Sequence, residues 1–232
     1  MSSMRRNPPK TSRATRPARK RKTATGHLFS DLAYDRIKEM IITAQLPTGA
    51  LLTEGELASQ LGMGRMPVRE AMQRLAEDDL VMIVPRKGSF VHPIQVEDLQ
   101  KIFELRVTLE CLSCQLAAER ITEEDLKKLE AMFERVEPLD EGSEEHVRID
   151  RAFHRAIAAA TRNEYLQRAV ERTLNLAVRL LYVSGSRMAK VGEIVEEYRR
   201  VLDALRRRDG PAAAEAMRAH IEEFRTKVRN AV

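Results

Sequence analysis

The sequence predicts a mainly α-helical protein in which a small module of three helices and a β-hairpin precedes an all-α antiparallel bundle. Three observations support this fold class. Apolar residues recur at helical spacing from Leu28 to Ile41. Two short β-prone runs occupy 81–84 and 89–91. From Val96 onward the pattern is helical almost throughout, with breaks at proline, asparagine and glycine.

The N-terminal module is expected at 28–92, and its first helix ends before the Pro47 turn. A second helix fits 54–60, because Gly62 and Gly64 favour a turn directly after it. A third helix runs from about 66 to 78, with Pro67 tolerated in its first turn. Followed by a hairpin with a basic tip, this order of elements predicts a winged helix-turn-helix, which is a DNA-binding module.

The C-terminal part, 96–230, is expected to form the bundle. Its helices are predicted near 96–119, 122–137, 144–160, 163–187, 190–208 and 211–229. Short connections force neighbouring helices to run in opposite directions, so the simplest outcome is a six-helix antiparallel domain.

Composition excludes several classes of protein. Hydrophobic residues make up 43% of the chain, but no apolar run is long enough to span a membrane and no secretory signal is visible. Cys111 and Cys114 share one helix face without a second pair of ligands, so they are predicted to be small buried residues with reduced thiols. We therefore expect a cytoplasmic protein without a membrane partner.

A basic tail, 1–27, precedes the module. It contains nine Lys or Arg residues and no acid, although the net charge of the whole chain is only +5. Its Pro, Ser and Thr content predicts disorder. Two interpretations stay open: the tail attracts DNA phosphates without sequence preference, or it is a solvated extension, including one created by a mis-set start codon.

The module resembles the GntR family of bacterial regulators. The residues that carry this resemblance are Tyr34-x-x-Ile37, Leu46-Pro47-x-Gly49-x-x-Leu52, Glu56-Leu57-Ala58, Leu61-Gly62, Pro67-Val68-Arg69-Glu70-Ala71-Met72-x-Arg74-Leu75 and Gly88-Ser89-Phe90-Val91. The resemblance covers most of the module in the right order. It implies a homodimer that binds double-stranded DNA at a near-palindromic operator.

Two arginines at the start of the third helix are the candidates for reading bases. Arg65 and Arg69 lie four residues apart on one helix face and can reach guanine edges or phosphates. Gly64 and Met66 stand where the family usually has hydroxyl or small polar residues, so operator preference is expected to differ from relatives. The candidate DNA contacts in full are Arg65, Met66, Arg69, Arg74, Arg86, Lys87 and Gly88, the last three at the hairpin tip.

Three polar residues of metal-binding type fall on inward faces of the bundle. Asp150 and His154 are four residues apart on an apolar helix stripe, and His220 lies on the inward face of the last helix. They outline a set of two histidines and one carboxylate that suits a divalent ion such as Zn²⁺ or Ni²⁺. From the residues alone, an internally bonded Asp–His pair is the competing interpretation.

Residues 96–229 resemble the FCD effector domain of the FadR-like branch of that family, through Arg106-x-x-x-Glu110, Asp150-x-x-x-His154 and His220. The resemblance implies a metal-assisted pocket for a small organic acid. Tyr198 stands where a further histidine is expected, and a phenol is a poorer ligand than imidazole at neutral pH. The site then holds metal through three residues, holds it weakly, or has become a metal-free pocket in which Tyr198 donates a hydrogen bond.

Two further side chains have alternative roles. Arg106 is predicted either to clamp an anionic effector or to pair with Glu110 one turn on. His146, one turn before Asp150, could replace a missing ligand, but its place at a helix start favours a solvated role.

The sequence as a whole predicts an effector-responsive transcriptional regulator, by default a repressor, rather than an enzyme. A metal-dependent enzyme that uses Asp150, His154 and His220 is the alternative from another class, although no general base or nucleophile is evident beside this set. A DNA-compacting protein driven by the basic tail is the second alternative.

Overall fold

The computed structural model describes residues 24–95, 97–136, 144–184 and 191–230. The predicted basic tail lies outside these ranges except for its last four residues, which belong to the first helix. That helix therefore begins before the predicted boundary at residue 28.

The fold is mainly α-helical, with one small sheet, as predicted. The winged module contains α1 (Ala24–Ile42), β1 (Leu51–Leu52), α2 (Glu54–Leu61), α3 (Arg65–Glu77), β2 (Val81–Val84) and β3 (Gly88–Val91). The bundle contains α4 (Asp98–Arg120), α5 (Glu123–Val136), α6 (Glu144–Ala160), α7 (Glu164–Ser184), α8 (Val191–Arg206) and α9 (Gly210–Asn230).

Local signals in the sequence account for the helix-turn-helix. The hydroxyl of Thr53 accepts a hydrogen bond from the Glu56 amide and caps α2. Gly62 ends that helix in the left-handed conformation, at φ 64°, which glycine adopts without steric cost. The chain then turns into α3, whose buried face packs against α1.

The sheet contains a strand that the sequence did not reveal. β1 pairs with β3 in antiparallel fashion, so the strand order is β1-β3-β2. Between β2 and β3, the amide of Lys87 donates to the carbonyl of Val84 (3.1 Å) and Arg86 takes φ 65°, which closes a tight turn. The turn places Arg86 and Lys87 at the tip of the wing.

In the bundle, α4 is the central helix and packs against α9, α7 and α6. Its inward face is buried almost completely, with Phe103 and Cys114 at 0% exposure. α7 also contacts α1, so the bundle packs directly against the winged module. Among the described helices, none is both long and apolar enough to cross a bilayer.

Candidate metal centre and nucleic-acid interface

Three side chains converge at the middle of the bundle. Asp150 and His154 lie one turn apart on α6, and His220 faces them from α9. The Nε2 atoms of the two histidines are 3.1 Å apart. Oδ1 of Asp150 lies 3.6 Å from Nε2 of His154 and 3.5 Å from Nε2 of His220. The structure thus brings the three predicted ligands together.

A carboxylate orients each imidazole. Nδ1 of His220 lies 2.6 Å from Oε2 of Glu197, and Nδ1 of His154 contacts Oε2 of Glu110. A carboxylate at Nδ1 favours a proton on that nitrogen, so the Nε2 lone pair is available for an ion. Sequence reasoning missed both carboxylates as partners of the histidines. The only signals were the positions of Glu110 one turn after Arg106 and of Glu197 next to Tyr198.

The residues present fit a divalent metal ion. A point about 2.0 Å from all three convergent donor atoms exists between them, and zinc–nitrogen and zinc–oxygen distances are about 2.0–2.2 Å. Two imidazoles and one carboxylate are also a common donor set for zinc and other first-row divalent ions.

The side chains of this centre are buried, so their charges interact strongly and shift one another's pKa values. Burial alone raises the pKa of Asp150, but the charges and hydrogen bonds of His154 and His220 together outweigh it and hold that pKa well below its usual range. Burial likewise raises the pKa of Glu110, yet the charge of Arg106 and the contact with His154 bring it to about 2. Burial lowers the pKa of His220, but hydrogen bonds with Asp150 and Glu197 raise it to about 9. At neutral pH the carboxylates of Asp150 and Glu110 are therefore charged and the imidazole of His220 is protonated, so an ion that binds Nε2 of His220 displaces a proton.

Arg106 lies beside the convergent ligands, buried to 1% exposure. Its Nε donates to Oε1 of Glu110 at 2.5 Å, which is the pairing that the spacing on α4 allowed. Its Nη2 atom also lies 3.0 Å from Nε2 of His154. The guanidinium therefore stands at the edge of the centre, where an anionic ligand would meet it.

Tyr198 points into the centre, with 0% exposure. Its hydroxyl donates to Oδ1 of Asp150 at 2.6 Å, and its ring stacks on Phe153 at 4.2 Å between centroids. Burial first, and then the carboxylate of Asp150, raise the pKa of the phenol well above its usual value. The hydroxyl is therefore protonated and donates a hydrogen bond to a ligand atom.

His146 is buried at 0% exposure, so the predicted solvated role is wrong. The first turn of α6 is covered within the bundle, and burial lowers the pKa of this imidazole. Among the described residues, the group of convergent ligands consists of Asp150, His154 and His220 and does not include His146. The two cysteines are buried free thiols, as expected.

Side chains of α6 and α7 connect the bundle to α1 of the winged module. Nη1 of Arg151 lies 3.0 and 2.9 Å from the two carboxylate oxygens of Glu39. Arg155 pairs with Glu171 of α7, whose Oε1 is 3.6 Å from Nζ of Lys38. Arg151 and Arg155 directly follow the two ligands of α6 in the sequence. One helix thus contributes to the candidate metal centre and contacts the winged module.

The start of α3 presents its side chains to solvent. Met66 is 60% exposed, and the side chain of Arg69 is 54% exposed. Nε and Nη2 of Arg69 each lie 2.7 Å from an oxygen of Glu54 at the start of α2. Arg65 is exposed beside them.

Two other predicted DNA contacts have partners inside the module. Arg74 pairs with Asp31 at 2.6 Å and lies over the ring of Tyr34, so it fastens α3 to α1. At Gly88, with φ 116°, an added Cβ would lie 3.1 Å from Leu51. Glycine at this position therefore allows a close approach of the backbone to Leu51 of β1.

Comparison with known proteins identifies the family. Residues 29–91 match the model of the bacterial regulatory proteins of the gntR family, and residues 101–223 match the FCD domain, which covers more than half of the chain. This chain belongs to the GntR family and carries an FCD domain. It is thus a DNA-binding transcriptional regulator with an effector-binding domain.

Other GntR-type regulators match along most of their length. The HTH-type transcriptional regulator YdhC of Bacillus subtilis is 29% identical over 192 residues, covering 81% of this chain and 85% of the relative. The HTH-type transcriptional repressor RspR of Escherichia coli is 26% identical, covering 84% and 87%. The solved structure of E. coli McbR/YncC has the same fold, with a TM-score of 0.74 at 24% identity and coverage of 87% and 97%.

Proposed function

We propose that this GntR-family regulator is a homodimeric repressor whose operator affinity is controlled by a small carboxylate bound beside a metal ion in the FCD domain. The observation that carries the proposal is the 3.1 Å distance between Nε2 of His154 and Nε2 of His220. With a carboxylate at each Nδ1, both Nε2 atoms face one small space.

The charges of the centre favour a divalent cation there. Asp150, Glu110 and Glu197 contribute three negative charges, and Arg106 contributes one positive charge. One proton, on Nε2 of His220, compensates only part of this charge, and a second proton on Nε2 of His154 would point directly at the first. A divalent ion held by Asp150, His154 and His220 satisfies both lone pairs and balances the remaining charge.

A carboxylate effector fits the remaining side of the centre. When bound, the ion supplies Lewis-acid positions that carboxylate oxygens can occupy, because three protein donors converge there among the residues that the structure describes. Arg106 offers N–H groups at the same edge, 3.0 Å from Nε2 of His154. Tyr198 keeps Oδ1 of Asp150 in place through its hydrogen bond.

The path from the pocket to DNA runs along α6. A carboxylate on the ion also attracts the Arg106 guanidinium, which lies beside His154, and His154 is next to Arg155 in the sequence. Arg155 and Arg151 contact Glu171 and Glu39, so a shift of α6 changes the position of α1 and of the winged module. The effector alters operator affinity by its difference in binding energy for the two positions.

The names of two relatives support repression. The E. coli relative is named a repressor. A second relative is named the probable D-xylose utilization operon transcriptional repressor of Paenarthrobacter nicotinovorans; it is 29% identical over 192 residues, and the match covers 84% of its length.

An exposed apolar surface supports dimerisation. Leu105 and Leu112, two turns apart on α4, are 51% and 42% exposed. Their apolar face is suited to a second copy of the chain.

The experiment measures metal content, effector binding and DNA binding together. Protein loaded with Zn²⁺ or Ni²⁺ is analysed for bound metal and is then titrated with a panel of small mono- and dicarboxylates by calorimetry. Binding to a duplex selected from a random library follows, with and without the acid that binds. We expect about one metal per chain and at least a fivefold loss of duplex affinity with the acid.

Asp150→Asn should remove both the metal and the response to the acid. Arg148→Gln is the matched control, because it changes an exposed side chain of the same helix that is not a convergent ligand. Protein that binds no metal, or that binds metal but releases no DNA with any acid, contradicts the proposal. Light scattering of wild type and Leu112→Glu tests the dimer, with Leu28→Glu as a control on another exposed leucine.

A further inference from the structure

Glu54 contacts the predicted DNA-reading arginine Arg69. It occupies the first position of α2, and its two carboxylate oxygens accept from Nε and Nη2 of Arg69, both at 2.7 Å. The hydrogen bonds with Arg69 hold the pKa of Glu54 below its usual range, and the charge of Arg65 contributes in the same direction. An acidic side chain thus lies within the surface expected to meet DNA phosphates.

A carboxylate at that place opposes nonspecific DNA binding. It repels phosphates, and an exposed ion pair contributes little to folding stability. Glu54 is also not required to cap α2, because Thr53 and Glu56 already form that contact. Neither stability nor general attraction to DNA therefore accounts for this pair.

The geometry of the pair suits base recognition. Glu54 occupies the side of the guanidinium formed by Nε and Nη2. The other edge, formed by Nη1 and the second hydrogen of Nη2, still presents two parallel donors. O6 and N7 of guanine accept two such donors in the major groove. Because both ends of the carboxylate are engaged, the guanidinium plane is fixed before DNA arrives.

Arg65 lies against the same first turn of α2. Its guanidinium packs on Gly55, where an added Cβ would be 3.4 Å from Nη2 and 3.7 Å from Cζ. The two arginines at the start of α3 are thus placed by consecutive residues of α2. The position of Glu54 relative to the recognition helix is therefore fixed by the helix-turn-helix itself.

We propose that Glu54 is a positioning residue that holds Arg69 edge-on to a guanine and so sets the base preference at one position of each operator half-site. The inference rests on the proposed DNA-binding function of the winged module. It adds a specificity-determining residue that does not itself contact a base.

The test compares selected and nonspecific duplexes. The full-length wild-type protein selects a consensus from a random duplex library, and affinities are then measured for that consensus and for a scrambled duplex of the same length across a salt series. Glu54→Gln is expected to lose about tenfold in affinity for the consensus. Its affinity for the scrambled duplex should rise about twofold, because a negative charge has been removed.

Glu56→Gln is the matched control. It removes the same charge from the same turn of α2, where Glu56 contacts Thr53 rather than an arginine. It should raise affinity for both duplexes equally. A repeated selection with Glu54→Gln should lose the base preference at one half-site position, and Arg69→Ala should lose it at the same position.

Two outcomes overturn the inference while leaving the proposed function intact: Glu54→Gln behaving like Glu56→Gln, or Glu54→Gln and Arg69→Ala affecting different positions. A wild-type selection that yields no consensus overturns the proposed function, and this inference with it. Glu54→Asp keeps the charge but shortens the side chain. It should bind the scrambled duplex as weakly as wild type does, and it should keep part of the base preference that Glu54→Gln loses.

Discussion

Nη1 of Arg151, on α6, donates to both carboxylate oxygens of Glu39, on α1, at 3.0 and 2.9 Å. Arg151 is only 3% exposed, and the residue before it, Asp150, belongs to the candidate metal centre. The contact therefore joins the effector domain to the winged module at the helix that holds two of the three convergent ligands.

Glu39→Gln should weaken coupling between the two domains. The buried guanidinium loses its anionic partner, which costs about 1–3 kcal/mol in the free energy of unfolding. We also expect the ratio of duplex affinities without and with effector to fall at least threefold, whereas metal content stays the same. Urea unfolding and fluorescence anisotropy measure the two effects.

Glu104→Gln is the control for that change, because Glu104 is an exposed carboxylate on α4 that contacts Gln100 of the same helix. It should leave both the stability and the ratio near wild-type values. An unchanged affinity ratio in Glu39→Gln would show that the effector signal follows another path.

Protonation of Glu110 should make the free energy of unfolding depend on pH in the acid range. Burial alone would raise its pKa, but Arg106 and His154 bring the pKa to about 2 in the folded protein, below the ordinary value of 4.5. The unfolded state then binds the proton more readily, so the contribution of Glu110 is present above about pH 4.5 and is lost as pH falls toward 2.

Unfolding in urea across that pH range checks this prediction. Glu110→Gln should be less stable than wild type at neutral pH, and the difference should shrink as the solution is acidified. Glu124→Gln, at a largely exposed position, is the control and should follow the wild-type curve. A constant difference between Glu110→Gln and wild type across the range would contradict the assignment.

Periodicity predicted much of this architecture, because spacing along a helix is a local property. The pair Asp150 and His154 was found in this way. The sequence did not predict β1, because a strand of two residues shows no alternation of apolar and polar residues and its pairing with β3 depends on the tertiary fold.

Contacts between distant segments were not accessible to the same reasoning. Arg151 and Glu39 are 112 residues apart, and a basic residue beside a metal ligand is normally read as a solvated charge. His146 was misjudged for a related reason: its place at a helix start suggested exposure, but packing of the bundle covers that turn.

Tyr198→Phe should weaken metal binding without removing any of the three convergent ligands. The variant loses the 2.6 Å hydrogen bond that orients Oδ1 of Asp150, and loss of such an outer contact typically weakens metal affinity about tenfold or more. Competition with a chromophoric chelator measures the affinity. The ring that stacks on Phe153 is retained, so the fold should be preserved.

Tyr198→His should change metal affinity in the opposite direction. An imidazole there adds a third nitrogen donor and a fourth ligand in all, of the kind that zinc prefers, so zinc affinity should rise above that of wild type. The added ligand also occupies a position that a carboxylate effector would use, so effector affinity should fall. Equal metal affinity in wild type, Tyr198→Phe and Tyr198→His would place Tyr198 outside the metal centre.

The wing should contribute affinity without sequence preference. Arg86 and Lys87 are exposed at the tip, and Arg86 adopts φ 65°, so Arg86→Gly removes its charge without opposing the backbone conformation. Combined with Lys87→Ala, it should lower the slope of log affinity against log salt by about two. Selected and scrambled duplexes should lose affinity by the same factor, because phosphate contacts carry no base information. Lys128→Ala, on α5, is the control. A loss confined to the selected duplex would instead assign the wing to base recognition.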